Sequence, residues 1–266
     1  MWTTKRILIL GMTYPSYSSK YVENVCTGGL EEDTGRLVRI HPVPARYLEP
    51  QYRFKKFQWV QAQVTKHPSD PRPESLRVKP ESIEPQEVLP PKQVAVRKRL
   101  IESSPHMIKS VEELRERWKQ NGTSLGAIKP KEILGIRLVP RPASERTEWV
   151  AKEKMLLSQG NLLERPPKPL DFPDVSFKVE WQCDDARCEG HEMGMLQWGL
   201  HELYRKYKTD PDRDAIVTAK MKEQLDLKKR DVFLFLGNFR ATMWNFGLMD
   251  CFSPEKKPED TQLSLL

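Results

Sequence analysis

Short apolar blocks bounded by turn residues fill the first ninety positions. "KRILILGM" (residues 5–12) reads as a strand, and "VENVCTGGLEEDTGRLVRIHPV" (22–43) as two strands around the polar turn Glu31-Glu32-Asp33-Thr34-Gly35. In "FKKFQWVQAQVTKH" (54–67) the period is two, with Val60, Ala62 and Val64 on one face and Phe57, Trp59, Gln61 and Gln63 on the other. Prolines in "HPSDPRPES" and "VLPPK" then interrupt regular structure. Apolar spacing changes to that of helices over about 93–103 and 111–120, where Val111, Leu114 and Trp118 share a face.

Strand patterns resume with "KEILGIRLVPRP" (131–142), and "TEWVAKEKMLL" suits another strand or a short helix. The proline-rich "LERPPKPLDFP" leads into the strand "VSFKVEWQ" (175–182). From Gly190, the residues Met193, Leu196, Leu200, Leu203 and Tyr207 fall three or four apart and predict an amphipathic helix. A second helix begins near Asp210-Pro211 and runs to about Leu227. "DVFLFLGNFRATMWNFGLMDCF" (231–252) is apolar on both faces of each half, as in a buried hairpin. The expected class is therefore α+β and β-rich: a small, strongly twisted β unit followed by a second β unit with an inserted or appended helical hairpin. The divisions are a β unit over 1–92, a helical connector over 93–128, a second β unit over 129–254 and a polar tail over 255–266. No internal repeat is visible.

The chemistry concentrates in "WQCDDARCEGHEM" (181–193). Cys183, Cys188 and His191 are spaced C-x4-C-x2-H, which lets one loop present two thiolates and an imidazole to a single ion. His201 lies about 15 Å further along a continuous helix, at roughly 1.5 Å per residue, and does not share that ion. Cys251, on the last strand, is the first choice to close the set as a structural zinc site, with Cys26 next and Asp184, Asp185 or water as substitutes. Thiols without metal, or three ligands plus water in a catalytic or iron–sulfur centre, are the competing readings. The deaminase pattern is absent, and "HEMGM" carries Met195 where a zinc peptidase needs its second histidine.

A second constellation lies in the first unit. Arg39 and His41 alternate with Val38 and Ile40, so they should face away from the core, beside Phe57 and Trp59. Rings stack on bases and Lys55, Lys56 and Lys66 neutralise phosphates, which predicts a single-strand binding platform; packing of the two rings against other elements is the plainer alternative. "SDPRPES" sets Asp70, Arg72 and Glu74 in one loop, either for a divalent ion or as a proline-held turn. Asp174, Lys178 and Glu180 are in the wrong order for a restriction-type nuclease, and Gly28-Gly29 lacks a nucleotide-loop pattern.

Composition adds a modest bias. With 44 Lys and Arg against 37 Asp and Glu, the formal charge is +7, compatible with a polyanionic partner. Four cysteines, two of them clustered, suit metal in a reducing compartment better than a disulfide framework, and no apolar run approaches spanning length, so a cytoplasmic location is expected.

Together, "CTGGLEEDTGRLVRIHPVP", "KKFQWVQAQVTKHPSDPRPES", "CDDARCEGHEMGMLQWGLHELYRK" and "DVFLFLGNF" resemble an uncharacterised group of prokaryotic proteins described as carrying a dual OB-fold domain. The resemblance spans nearly the whole chain. It implies that both units are small OB-like β-barrels, which bind nucleic acid in mobile-element or defence settings, and it supplies no catalytic residues. The leading expectation is thus a non-enzymatic protein that binds single-stranded nucleic acid and is stabilised by zinc. A metal-dependent nuclease or nucleic-acid-modifying enzyme, and a protein–protein adaptor, are the rivals.

Overall fold

In the computed structural model, which describes residues 1–18, 22–158 and 169–256, seven strands come first. They are β1 (Thr3–Met12), β2 (Ser16–Ser18), β3 (Val22–Glu31), β4 (Leu37–Val43), β5 (Gln58–Lys66), β6 (Ser75–Val78) and β7 (Glu84–Val88). β1 pairs with β5 through Thr3–Leu8 and with β3 through Ile7–Met12. β3 continues to β4, β4 to β6 and β6 back to β5, so five strands close into a barrel. The β4–β6 pair is parallel and the others are antiparallel.

Next come α1 (Val94–Glu102), α2 (Val111–Asn121), β8 (Leu125–Ile128), β9 (Glu132–Pro140), α3 (Ala143–Ser158) and β10 (Val175–Gln182). The chain continues through β11 (His191–Met195), α4 (Trp198–Lys206), α5 (Arg213–Gln224), β12 (Phe233–Asn238) and β13 (Phe246–Phe252). These six strands form one sheet in the order β8-β12-β13-β11-β10-β9. Its connectivity repeats that of the barrel. β10, β11, β12 and β13 occupy the places of β3, β4, β5 and β6, the parallel pair recurs as β11–β13, and β8 and β9 share the role that β1 fills alone. The protein is mixed α+β and strand-rich, with a closed five-stranded barrel, a second sheet and five α-helices among the described residues.

Two expectations change. Gly190 does not open a helix: it turns the chain at φ +100°, and His191–Met195 returns as a strand beside β10, with Trp181 opposite His191. The buried residues there are Met193 and Met195, two apart, so period two wins and α4 starts only at Trp198. Leu125–Ile128, read as part of a helical connector, is a strand of the second sheet. Most of the "LERPPKPLDFP" loop and of the polar tail lies outside the described residues.

The strands are apolar on both faces because each face has a separate core to fill. Ile7, Ile9, Val38, Ile40, Val60, Ala62 and Val64 point into the barrel. Their alternates Leu8, Leu10, Leu37, Phe57 and Trp59 lie in a second cluster with Leu125, Ala127, Phe233, Phe235, Met249 and Phe252 of the second sheet. The other face of that sheet packs on α2, α4 and α5 through Leu114, Phe177, Trp181, Leu200 and Val217. β1 and β13 approach so closely that a Cβ built on Gly11 would lie 2.4 Å from Cβ of Asp250. Only glycine fits there.

Beside this shared apolar layer runs a buried polar seam. Arg39 Nη1 donates to Ser75 Oγ (3.1 Å) and Ser124 Oγ (3.2 Å), and Ser124 donates through N and Oγ to the Glu74 carboxylate (3.0 and 2.6 Å). Arg72 grips Asp70 with two parallel bonds, Nε to Oδ1 at 2.9 Å and Nη2 to Oδ2 at 2.6 Å, and its Nη1 reaches the Asn238 carbonyl at 2.8 Å. Burial pushes both carboxyls upward, but the Arg72 bonds on Asp70, and the His106 and Ser124 bonds on Glu74, outweigh it and hold each below the usual range. The proline-bounded "SDPRPES" loop is therefore a turn whose charged residues tie the two units together.

Candidate functional site

Two constellations of polar side chains stand out: a thiol–imidazole cluster in the second unit and a cleft between the units. The cluster forms where the β10–β11 turn meets the first turn of α2. Ser110 caps that helix by accepting the Glu113 amide hydrogen (3.0 Å) and donates to Asp185 of the turn (2.7 Å), so helix and turn are held in register. Cys183 Sγ lies 3.3 Å from Cys188 Sγ and 3.1 Å from His191 Nε2; Cys188 Sγ is 3.3 Å from the same nitrogen. The fourth member is Glu112, whose carboxylate is 3.4 Å from Cys183 Sγ and 3.6 Å from His191 Nε2.

The thiols are free and their sulfurs are too far apart for a disulfide, which needs about 2.05 Å. A tetrahedral ion with bonds of about 2.0–2.3 Å sets neighbouring donors roughly 3.3–3.8 Å apart. Five of the six donor–donor separations, at 3.1–3.6 Å with one or other Glu112 oxygen, lie near that edge length, and all four donors lie within 4.8 Å of one another. The donors also suit a borderline-soft cation: two sulfurs, one imidazole nitrogen and one carboxylate oxygen. Burial pushes the Cys183 thiol up to about 12, a direction that a bound cation reverses.

Cys251 is not part of this group. Its sulfur is buried in the core of the second unit and accepts from Gln224 Nε2 at 3.2 Å, so the expectation that it closes the metal set is corrected in favour of Glu112. Cys26 lies elsewhere, on the wall of the cleft.

The expected stacking platform is not on the surface. Phe57 and Trp59 are buried in the layer between the units, with Phe57 edge-on to Phe252 at 4.7 Å, and Arg39 is buried in the polar seam. Phe57 and Trp59 do lie opposite the barrel interior, as alternation predicts, but that face is covered by the second sheet. Lys56 turns inward to Asp250 and the Cys251 carbonyl, both at 2.6 Å, whereas Lys55 is exposed and Lys66 Nζ donates to the Arg72 carbonyl at 2.7 Å. His41 and the buried guanidinium of Arg39 are the members of that set that border the cleft between the units.

That space is a cleft of about 700 Å³ between the units. The barrel contributes Cys26 from β3, Arg39 and His41 from β4, the turn Thr13–Ser16 and the loop from His67 to Arg72; the second unit contributes Arg141, His201 and Gly237–Arg240. A smaller cavity of about 210 Å³ adjoins it, sharing Tyr14, Pro173 and His201, and extends past Arg146, Arg205, Lys208 and Arg213. Among the described residues, the larger cavity carries four arginines and one carboxylate, the smaller three arginines and a lysine against two carboxylates, so cations outnumber carboxylates eight to three. Phe239 and Trp244, 40% and 60% exposed, project from the β12–β13 turn, and Phe239 borders the larger cavity.

Two imidazoles of the cleft, those of His41 and His201, are kept neutral. Burial, then the neighbouring His67, push His41 down to about 4, with Arg240 and Arg72 acting the same way against Asp70. His201 stacks on Tyr14 at 4.6 Å and meets Phe177 edge-on at 4.9 Å; burial and then Arg141 push it down to about 3. Arg141 presents its Nε, buried and without a hydrogen-bond partner. A guanidinium donor in that state favours an anion, because an unmet buried donor costs about 1–3 kcal/mol.

Sequence reading missed Glu112, Arg141, His67, His201 and Arg240 because each joins its site from a separate segment. The available signal was the placement of imidazoles and guanidiniums inside otherwise apolar strands or at their ends, as in "LVRIHPV" and "LGNFR".

Residues 106–265 match the family model described as Domain of unknown function (DUF8757), and residues 3–103 match the one described as Domain of unknown function (DUF8758). The two adjoining matches cover almost the entire chain. No curated protein matches it.

Proposed function

The chain belongs to the Domain of unknown function (DUF8757) family, a membership that assigns no chemistry, and from its own residues we propose that it is a single-strand nucleic-acid-binding protein built from two OB-like units. The strand runs through the two adjoining cavities. One observation carries the reading: the larger cavity sits on the β3–β4 face of the closed barrel, flanked by the β1–β3 turn and the β5–β6 loop. Counting only the five barrel strands, these are the second–third strand face and the 1–2 and 4–5 loops, the surfaces that OB barrels use for oligonucleotides. The cationic excess supports phosphate contact, and exposed Phe239 and Trp244 supply flat faces for stacking at the mouth.

In this reading, Glu112, Cys183, Cys188 and His191 hold zinc. Four protein donors leave no open position, so the ion fastens α2 to the β10–β11 turn and supplies folding energy rather than a reaction centre. Partner and location follow the same reading: nucleic acid, in the cytoplasm. Among the described residues, no helix is long and apolar enough to cross a membrane.

Fluorescence anisotropy with labelled single-stranded RNA and DNA, titrated at rising salt, tests the proposal. Affinity is expected to fall linearly on logarithmic axes, with a slope that counts the phosphates engaged. Absence of binding at low salt, or affinity indifferent to salt, overturns it.

A further inference from the structure

We propose that the larger cavity also cleaves RNA, using His41 and His67 as a general acid–base pair on the phosphodiester; the inference rests on reading this cleft as a nucleic-acid site. The two imidazoles come from different segments, His41 from β4 and His67 from the end of β5, yet their ring centroids are 5.6 Å apart at 51° and both border the cavity. That separation lets one phosphate group meet both rings. Arg72 and Arg240 border the same space and face His41, together with Asp70. Cationic donors there oppose the charge that develops on the phosphoryl oxygens.

The residues select the substrate class. Phosphodiester cleavage through divalent ions calls for carboxylates free to bind metal, and among the described residues the one carboxylate bordering this cavity, Asp70, has both oxygens engaged by Arg72. Two imidazoles instead perform proton transfer, which suffices when the substrate brings its own nucleophile. RNA does so through its 2′-hydroxyl, and DNA does not.

The step balances without an added reagent. The neutral imidazole of His41 takes the 2′-hydroxyl proton, and the 2′-oxygen forms a bond to phosphorus. The bond from phosphorus to the 5′-oxygen breaks, and the electron pair leaves on that oxygen, which takes a proton from protonated His67. The products are a 2′,3′-cyclic phosphate and a 5′-hydroxyl end, and solvent restores the two protonation states. Burial keeps His41 in the basic form. His67 as the neutral ring accepts the Ser69 amide hydrogen at Nδ1 in a long bond (3.4 Å); the negative charge of a bound phosphate favours protonation of that nitrogen in place of the bond, which gives the imidazolium that donates.

Three labelled oligonucleotides of one sequence decide the matter: RNA, its 2′-O-methyl form and DNA, each followed for binding by anisotropy and for cleavage by gel and mass spectrometry. The expected result is binding of all three, cleavage of RNA alone with a cyclic phosphate end, and a fall of about 10²–10⁴-fold in rate for His41→Asn and His67→Asn at unchanged melting temperature. If either variant fails to fold, the 2′-O-methyl strand still tests the nucleophile in the native protein. RNA that is bound but uncut overturns the catalytic proposal and leaves the binding reading standing, whereas no binding of any strand overturns both. Cleavage of DNA or 2′-O-methyl RNA at a similar rate, or folded variants as active as wild type, also refutes the acid–base assignment.

Discussion

Replacing Arg72 by methionine removes the guanidinium that joins the two units while keeping much of the apolar stem. Side-chain exposure is 9% for Arg72 and 8% for Asp70, so the change strands a buried carboxylate. It loses both side-chain bonds to Asp70 and the 2.8 Å bond to the Asn238 carbonyl, and keeps the Arg72 amide bond to Asp70 Oδ1 at 3.1 Å. Breaking a buried pair from one side costs about 3–5 kcal/mol, which at a urea slope near 3 kcal/mol per molar lowers the unfolding midpoint by roughly 1–1.7 M. A cycle with Asp70→Asn and the double variant isolates the pair, because the double change removes charge and counter-charge together. The double loss should fall short of the summed single losses by about 1–3 kcal/mol. The sign with pH is also set: Asp70 has a depressed folded pKa, so its contribution is complete above about 3.9 and is lost as pH falls from there through the lower folded value. An Arg72→Met loss below about 1 kcal/mol would refute the seam as the tie between the units, and strictly additive losses at neutral pH would refute the coupling of Asp70 to Arg72.

Other changes separate the two sites. Elemental analysis should find one zinc per chain, with Cys183→Ser losing both metal and thermal stability and Cys251→Ser keeping the metal; retention of zinc by Cys183→Ser would dismiss the assigned set. Phe57→Ala should cost about 3–5 kcal/mol in urea unfolding, as a core truncation does; a fully stable Phe57→Ala protein would return the ring to the surface. Neutral His41, half-buried, and neutral His201, buried, make stability fall as pH drops below about 6.5, because the unfolded chain binds protons that the folded one refuses down to about 4 and 3. His201→Gln should flatten part of that slope in calorimetry, and an unchanged slope would contradict the buried neutral ring. Arg141→Ala should weaken single-strand binding and reduce the salt slope by about one, whereas an unchanged slope would remove this residue from the phosphate path.

Much of the fold was legible because strand alternation and helix spacing report local geometry. Val60, Ala62 and Val64 read as one face of a strand and line the barrel interior. What period two leaves open is the cover over the opposite face: alternation alone makes Phe57 and Trp59 suit a binding surface, whereas the second sheet encloses them. The Cys183-Cys188-His191 trio was legible because its spacing is local, whereas Glu112 stands 71 residues before Cys183 and meets it through tertiary packing alone. The cleft was the least legible element. Its His41, Arg141, His201 and Arg240 come from four separate segments, and no short-range pattern joins them. The duplicated strand connectivity was equally hidden, since β1 in one unit corresponds to two strands in the other.

The apolar layer between the units also sets a timetable for biosynthesis. Once residues 1–103 have been made, the barrel can close, yet the outer face carrying Leu8, Leu10, Phe57 and Trp59 still awaits Phe233, Phe235 and Phe252. At about 5–20 residues per second the ribosome supplies the last of these roughly 7–30 seconds later. During that interval the nascent barrel exposes a greasy wall to its neighbours on the polysome. The order of synthesis therefore makes the first unit, whose barrel closes before its cover exists, the part most dependent on being shielded until the second arrives.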